Sequence, residues 1–245
     1  MLPVDEPALT SELIRVRHDQ VMTRLRAAAE SAGRDPDAFR IVAVTKGFGT
    51  NVVRAAVAAG LTMLGENRVQ EAADKVEAAP DAEWHMVGQL QSNKVRAALR
   101  LFGTIHSVDS VALLQRIDRI AHDDGHAPRV LLQVDMSGRA GRGGFPSDEF
   151  EGLASDRSGS LVSSLGSLVA ARPIGLMTIA PLDPGNEARH FAHLRELRDR
   201  LRDASGMELR ELSMGMTADA DAAVREGATL VRVGTALFGP RPHGD

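Results

Sequence analysis

Residues 41–49 read IVAVTKGFG, and this stretch decides the fold that the sequence predicts. Its first four residues are apolar and largely β-branched, which is typical of a buried parallel strand. Thr45 and Lys46 follow at the end of the run. In a barrel of parallel strands, a residue at this place lies in the mouth, where active sites are built. The amine of Lys46 would be partly desolvated there and available to form an imine with an aldehyde. Taken by itself, Lys46 is better explained as a surface lysine at a strand end.

Similar apolar runs recur along the chain and alternate with amphipathic helical segments. The predicted strands are residues 41–44, 62–64, 84–87, 104–106, 130–134, 174–177, 211–213 and 230–233. Helical patterns separate them, for example at residues 51–59, 69–78, 93–101, 111–121, 187–204 and 219–226. Alternating strands and helices predict a parallel sheet covered by helices. Eight such units favour an α/β fold of the TIM type, a closed (β/α)8 barrel, over an open doubly wound sheet.

The segment ahead of the first strand predicts an additional helix. Residues 10–32 carry apolar side chains at helical spacing, and Gly33 ends the pattern. The apolar positions are Leu13, Ile14, Val21, Met22 and Leu25. No linker divides the sequence that follows. We therefore expect one domain over residues 1–245, with an opening helix at about 10–33 and the barrel at about 40–241.

Composition excludes several classes of function. The chain of 245 residues has a net charge of −4 without a basic stripe, so we expect no nucleic-acid partner. It has no cysteine, which removes disulfides and thiolate metal sites and suits a reducing compartment. The first residues do not resemble a signal peptide, and no apolar stretch is long enough to span a bilayer. These features predict a cytoplasmic protein without a membrane partner.

The last two predicted strands both end in small-residue turns. Residues 229–239 read TLVRVGTALFG, in which Gly234 and Thr235 open a short helix with free backbone N–H groups and a hydroxyl. Residues 212–219 read LSMGMTAD, in which Thr217 resembles the N-cap of the next helix. Either segment can be explained as a plain turn or cap. Together, however, the loops after strands seven and eight are the usual phosphate site of a barrel. A lysine across the mouth from such a site suits a phosphorylated aldehyde.

Other polar candidates carry less weight. Asn67, in GENRVQEA after the second strand, is interpreted either as a hydrogen-bond partner for a ring substituent or as the cap of the helix beginning at Arg68. His85 is interpreted as a core histidine. The pairs His122/His126 and His190/His193 have helical spacing but no accompanying carboxylate–histidine set, so we predict no metal site.

Six segments in this order resemble one known family. They are VAVTK, GENRVQEA, WHMVGQLQSNK, HSVD, LSMGMTAD and VRVGTALFG, and the resemblance covers about residues 41–241. Each segment is a weak signal alone, but six in the same order and spacing are specific. The sequence is similar to the YggS/PROSC family, the pyridoxal phosphate homeostasis proteins.

The resemblance implies a barrel like the N-terminal domain of bacterial alanine racemase, without the second domain of that enzyme. It implies pyridoxal 5′-phosphate (PLP) as cofactor, held as a Schiff base on Lys46. Arg232 matches the arginine that faces the pyridine nitrogen. The remaining expected cofactor contacts are Asn67, Ser213, Met216, Thr217, Gly234 and Thr235. The family often has serine at the place of Thr217, which keeps the hydroxyl.

The loop after the fifth strand departs from the family pattern. Many relatives have asparagine, glutamate and lysine near the places of Asp135, Arg139 and Arg142. A second cofactor contact through that lysine is therefore not expected, because Arg142 cannot form a Schiff base. It can still bind a phosphate.

The function implied is intracellular PLP homeostasis, meaning buffering and delivery, without a dedicated catalytic reaction or catalytic residues. The implied partners are PLP and apo-forms of PLP-dependent enzymes, with the chain a monomer or weak dimer. The alternative is a genuine PLP-dependent enzyme of low activity, a racemase or lyase. An arginine at the pyridine nitrogen makes the ring a weaker electron sink, and the sequence lacks the tyrosine that alanine racemase uses as second base. A third possibility is a barrel enzyme that uses Lys46 as an aldolase-type amine on a phosphorylated sugar.

Overall fold

The computed structural model describes residues 9–138, 143–151, 160–181, 183 and 185–241. The strands are β1 (Arg40–Val44), β2 (Met63–Glu66), β3 (Glu83–Met86), β4 (Thr104–Val108), β5 (Arg129–Asp135), β6 (Phe145–Pro146), β7 (Arg172–Met177), β8 (Glu211–Ser213) and β9 (Leu230–Val233). The helices are α1 (Ser11–Ser31), α2 (Thr50–Ala58), α3 (Val69–Ala78), α4 (Val95–Leu99), α5 (Val111–Asp124), α6 (Ser147–Glu151), α7 (Ser160–Gly166), α8 (Glu187–Ser205), α9 (Ala220–Arg225) and α10 (Thr235–Phe238). A 3₁₀ turn, Ser92–Lys94, precedes α4.

Eight of these strands close into a parallel barrel. They run in the order β4-β3-β2-β1-β9-β8-β7-β5, and β4 also pairs with β5, which closes the ring. The two-residue β6 adds a short pairing on β5 outside the ring. Each predicted strand is present, so the prediction of a (β/α)8 barrel is confirmed. Parallel pairing brings all carboxyl ends of the strands to one mouth.

The predicted opening helix is confirmed as α1. Thr10 is its N-cap, and the Thr10 hydroxyl accepts a hydrogen bond from the backbone N–H of Leu13 at 3.2 Å. The helix packs against α2, α9 and α10, and its Leu25 is fully buried. Gly33 takes a φ of +67° just beyond the helix, a conformation that glycine adopts without steric penalty. The helix thus covers the outside of the barrel next to the last strand.

Two apolar layers fill the molecule. The larger lies between the strands and the surrounding helices. The smaller lies inside the barrel, because strand side chains alternate between the two faces. Its buried members are Val42, Val87, Leu131, Met177 and Leu230. The barrel therefore has a packed interior, and a ligand can enter only at its ends.

The serine-rich segment in residues 158–167 is partly described. From Ser160 it forms α7, whose Leu161 and Leu165 are buried. The Asp118 carboxylate then accepts hydrogen bonds from three consecutive backbone N–H groups, at residues 169–171. Arg139 and Arg142 lie outside the described residues. Within the described ranges, none of the helices combines the length and apolar character needed to cross a membrane.

Candidate functional site

The mouth of the barrel holds a cavity of about 390 Å³ that collects most of the predicted site residues. Lys46 reaches it from the end of β1, and Arg232 reaches it from β9. Between them on the wall are the predicted contacts Asn67, Met216, Thr217, Gly234 and Thr235. Ser213 is the exception, since it is fully buried and does not line the cavity.

A buried ion pair positions the strand end that carries Lys46. Lys75 Nζ lies 2.5 Å from Glu66 Oε1 and donates to the carbonyl oxygen of Thr45 at 2.9 Å. The hydroxyl of Thr45 donates to the same Glu66 oxygen at 2.6 Å. Burial raises the pKa of Glu66, against the opposing effects of Lys75 and Thr45. The carbonyl immediately before Lys46 is therefore fixed by a cross-link between β1, β2 and α3.

Lys46 is partly buried and lies on the cavity wall. Among the described residues, no carboxylate or other polar group pairs with its amine. A turn directs it, because the N–H of Phe48 donates to the carbonyl of Thr45 at 3.1 Å and Gly47 has a φ of +78°. Gly47 is thus needed to fold the chain back at the cavity edge.

Two hydrogen bonds hold the guanidinium of Arg232 in place. Its guanidinium donates to Ser213 Oγ at 2.7 Å and to the carbonyl oxygen of Thr178 at 2.8 Å. Only 5% of the residue is exposed. Burial lowers the pKa of Arg232 to about 10, so it remains a cation at neutral pH. Ser213 therefore orients Arg232 instead of lining the cavity itself.

The prediction that Thr217 caps a helix is wrong. Helix α9 begins at Ala220, and its N-cap residue is Asp219. The Asp219 carboxylate accepts a hydrogen bond from the backbone N–H of Met216 at 2.5 Å, closing the turn between them. Thr217 lies within that turn and on the cavity wall, so its hydroxyl is not consumed by capping.

The turn predicted after β9 is present. Gly234 is the N-cap residue of α10, which begins at Thr235. A Cβ added at Gly234 would lie 3.2 Å from the carbonyl oxygen of Val44, so a side chain would crowd the end of β1. The backbone at the start of α10 can therefore lie close to the strand that carries Lys46. First-turn N–H groups lack intrahelical acceptors.

The interpretation of Asn67 as a helix cap is also wrong. Helix α3 begins at Val69 with Arg68 as its N-cap residue, and Asn67 faces the cavity. Sequence reasoning missed Arg241, which lines the rim beside Gly47. It also missed the apolar wall, made by Val44, Phe48, Val87 and Ile179. A strand end predicts that a residue is near the mouth, but gives no signal of which side chains meet across it.

No histidine within the described ranges lines this cavity. His85 is a buried core residue, as expected, and contacts His106 and Glu83. Across the described ranges, no three histidine, aspartate or glutamate side chains are grouped so that they could hold a metal ion.

Comparisons with known proteins show the family to which this chain belongs. The model of the family "Alanine racemase, N-terminal domain" matches residues 16–242. The pyridoxal phosphate homeostasis protein of Pseudomonas aeruginosa is 42% identical over 230 residues, which cover 92% of this chain and 94% of that protein. The protein of the same name from Aquifex aeolicus is 36% identical over 231 residues, 93% of this chain and 98% of that one.

Solved structures give the same result. PipY of Synechococcus elongatus, determined with PLP bound, is 38% identical with a TM-score of 0.79, covering 92% of this chain and 100% of that one. Alanine racemase of Clostridium difficile shares the fold, with 18% identity and a TM-score of 0.71 over 96% of this chain and 58% of that chain. The chain therefore belongs to the alanine racemase N-terminal domain family and, within it, to the pyridoxal phosphate homeostasis proteins.

Proposed function

We propose that this protein binds PLP covalently through Lys46 and acts in intracellular PLP homeostasis, buffering the cofactor and delivering it to apo-forms of PLP-dependent enzymes. The observation that carries the proposal is that Lys46, Arg232, Thr217 and Thr235 line one cavity. The names of the relatives and the PLP-bound PipY structure support it.

The chemistry of the cavity fits this cofactor. PLP has an aldehyde, a flat aromatic ring and a phosphate dianion. The cavity offers the amine of Lys46, which pairs with no other described residue, and the apolar side chains of Val44 and Val87 offer contacts for ring faces. Thr217 and Thr235 supply hydroxyls suited to phosphate oxygens. Each part of the cofactor thus has a chemically matched group.

Different residues of the chain would contact different parts of PLP. When bound, the cofactor presents an aldehyde carbon that joins the lysine nitrogen through a C=N bond, with release of one water. Lys46 would supply the nitrogen, and no carboxylate of the described residues holds its side chain in an ion pair. Arg232 remains cationic and disfavours a proton on a ring nitrogen beside it. The residues therefore favour storage of the cofactor over carbanion chemistry.

The attachment site can be tested sharply, because the sequence contains three lysines. Lys75 is locked in its ion pair with Glu66, and Lys94 lines a different cavity. We expect PLP-loaded protein to absorb visible light, and borohydride to fix the label on the peptide containing Lys46. Lys46→Ala should abolish the label and the matched control Lys94→Ala should retain it. Wild-type protein that forms no imine with PLP would refute the proposal.

Delivery is a separate measurement. Loaded protein mixed with an apo-form of a PLP-dependent enzyme should restore that enzyme's activity, and Lys46→Ala should not. Substrate-dependent turnover of amino acids well above the rate with free PLP would instead identify an enzyme. We further propose that the protein is cytoplasmic and a monomer or weak dimer, which fractionation and light scattering can check.

A further inference from the structure

Five polar side chains form a continuous network through the barrel interior, here called the buried polar network. Its members are Glu83, His85, His106, Ser213 and Arg232. Successive contacts are 3.1 Å from Glu83 Oε1 to His85 Nε2, 2.8 Å from His85 Nδ1 to His106 Nε2, 2.8 Å from His106 Nδ1 to Ser213 Oγ, and 2.7 Å from Ser213 Oγ to Arg232 Nη1. The network runs from the amino end of β3 to the cavity at the mouth.

The two ends of the network, together with the single hydroxyl proton of Ser213, determine the direction of each hydrogen bond. Arg232 can only donate and an ionised Glu83 can only accept. Ser213 therefore accepts from Arg232. Its hydroxyl proton goes to His106 Nδ1, because among the described residues Ser213 Oγ has no other acceptor within hydrogen-bond distance. His106 Nε2–H then donates to His85 Nδ1, and His85 Nε2–H donates to Glu83. Both imidazoles are neutral in this arrangement, and each member finds a partner.

Burial and charge agree with this assignment. His106 is fully buried, and burial is the main cause that holds its pKa well below 6.5, so its imidazole is neutral. The hydrogen bond from His85 lowers the pKa of Glu83 to about 2, with further contributions from Arg129. A cation at one end and an anion at the other strengthen hydrogen bonds in a low-dielectric interior.

We propose that Ser213, His106 and His85 are positioning residues for cofactor binding, which hold the Arg232 guanidinium at the cavity through hydrogen bonds anchored on Glu83. This inference rests on the proposed function, because it concerns how tightly PLP is retained. Ser213 has its hydroxyl oriented by His106, and His106 in turn has its tautomer fixed by His85. A change at the far end of the barrel thus reaches the cofactor cavity through four hydrogen bonds.

The first test uses the full-length protein without cofactor. Nitrogen-15 NMR of labelled histidine distinguishes protonated from bare ring nitrogens. We expect His85 and His106 both to carry a proton on Nε2 and none on Nδ1 at neutral pH, with a scalar coupling between His106 Nε2 and His85 Nδ1. A proton on His106 Nδ1 would overturn the network, whether or not the protein binds PLP.

The second test compares two chemically identical substitutions. Ser213→Ala removes the network's hydroxyl, and Ser107→Ala removes another buried hydroxyl, one that has no hydrogen-bond partner among the described residues. We expect Ser213→Ala to release PLP about tenfold faster, since a hydrogen bond to a charged group contributes on this scale. It should also move the visible absorbance maximum of the bound cofactor, because Arg232 then keeps only its hydrogen bond to the carbonyl oxygen of Thr178 and is held less firmly.

The control variant should match wild type in both release rate and spectrum. If wild type binds PLP but Ser213→Ala and Ser107→Ala have the same release rate and spectrum, the positioning role is refuted and the proposed function is not. If wild type binds no PLP, the proposed function fails instead. If Ser213→Ala does not fold, the tautomers of His85 and His106 measured in the wild-type protein still test the buried polar network.

Discussion

Replacing Lys75 with methionine tests the buried ion pair that positions Lys46. Glu66 is fully buried and Lys75 is 5% exposed, so water does not screen the pair. Methionine keeps an unbranched, apolar side chain and removes the ammonium group. Glu66 would then retain one donor, the hydroxyl of Thr45. Its other oxygen, Oε2, already has no partner among the described residues.

The expected loss of stability follows from the buried charge of Glu66, which has no cationic partner in Lys75→Met. Removing one partner of a buried ion pair lowers the free energy of unfolding by about 3–5 kcal/mol. For a protein of this size the melting temperature should fall by roughly 6–20 °C. Denaturant unfolding at neutral pH gives the free energy, and calorimetry gives the melting temperature. Borohydride labelling of Lys46 should also fall, because Lys75 no longer holds the carbonyl of Thr45.

The carboxyl group of Glu66 also determines how the stability cost of Lys75→Met changes with pH. Burial raises the pKa of Glu66, and loss of Lys75 raises it further. An acid with a raised folded pKa contributes stability that is fully present below its unfolded value, about 4.3, and lost as pH rises through the folded value. The cost of Lys75→Met should therefore grow from acidic to neutral pH.

A double variant supplies the control. Lys75→Met combined with Glu66→Gln removes both charges and should recover much of the lost stability, because no charge is left buried alone. The reasoning is refuted if Lys75→Met alone lowers stability by less than about 1 kcal/mol, the range of an exposed pair. It is equally refuted if the double variant is no more stable than the single one.

Three further predictions concern stability. Asp118→Ala leaves the three backbone N–H groups at 169–171 without their acceptor and should cost about 2–3 kcal/mol in denaturant unfolding. Leu25→Ala empties a fully buried position of α1 and should cost about 2–5 kcal/mol, and a cost below that range would show that α1 packs loosely. The hydrogen bond from His85 lowers the pKa of Glu83 to about 2, so its contribution is present above an unfolded value of about 4.3 and is lost as pH falls towards 2. Over that pH range, the free energy of unfolding of Glu83→Gln should therefore fall less steeply on acidification than that of wild type. An unchanged slope would contradict the lowered pKa of Glu83.

Local sequence was most informative where structure depends on neighbouring residues. The apolar run before Lys46 predicted β1, and the Gly-Thr pair predicted the start of α10. Capping was less well predicted: Thr217 had a suitable side chain, but Asp219 stands two residues later and closes the turn instead. Competing cap residues differ by only about 1 kcal/mol or less, so tertiary packing decides between them.

By itself the sequence determined the eightfold alternation of strands and helices, the extra helix α1 and the reactive candidate Lys46, because each depends on periodicity or on a residue type at a strand end. Only the tertiary structure decided that Lys75 fixes the carbonyl of Thr45 and that Ser213 supports Arg232 instead of lining the cavity. These contacts join residues 30 and 19 positions apart. Barrel closure sets such distances, and no local pattern records which inward-facing side chains will meet.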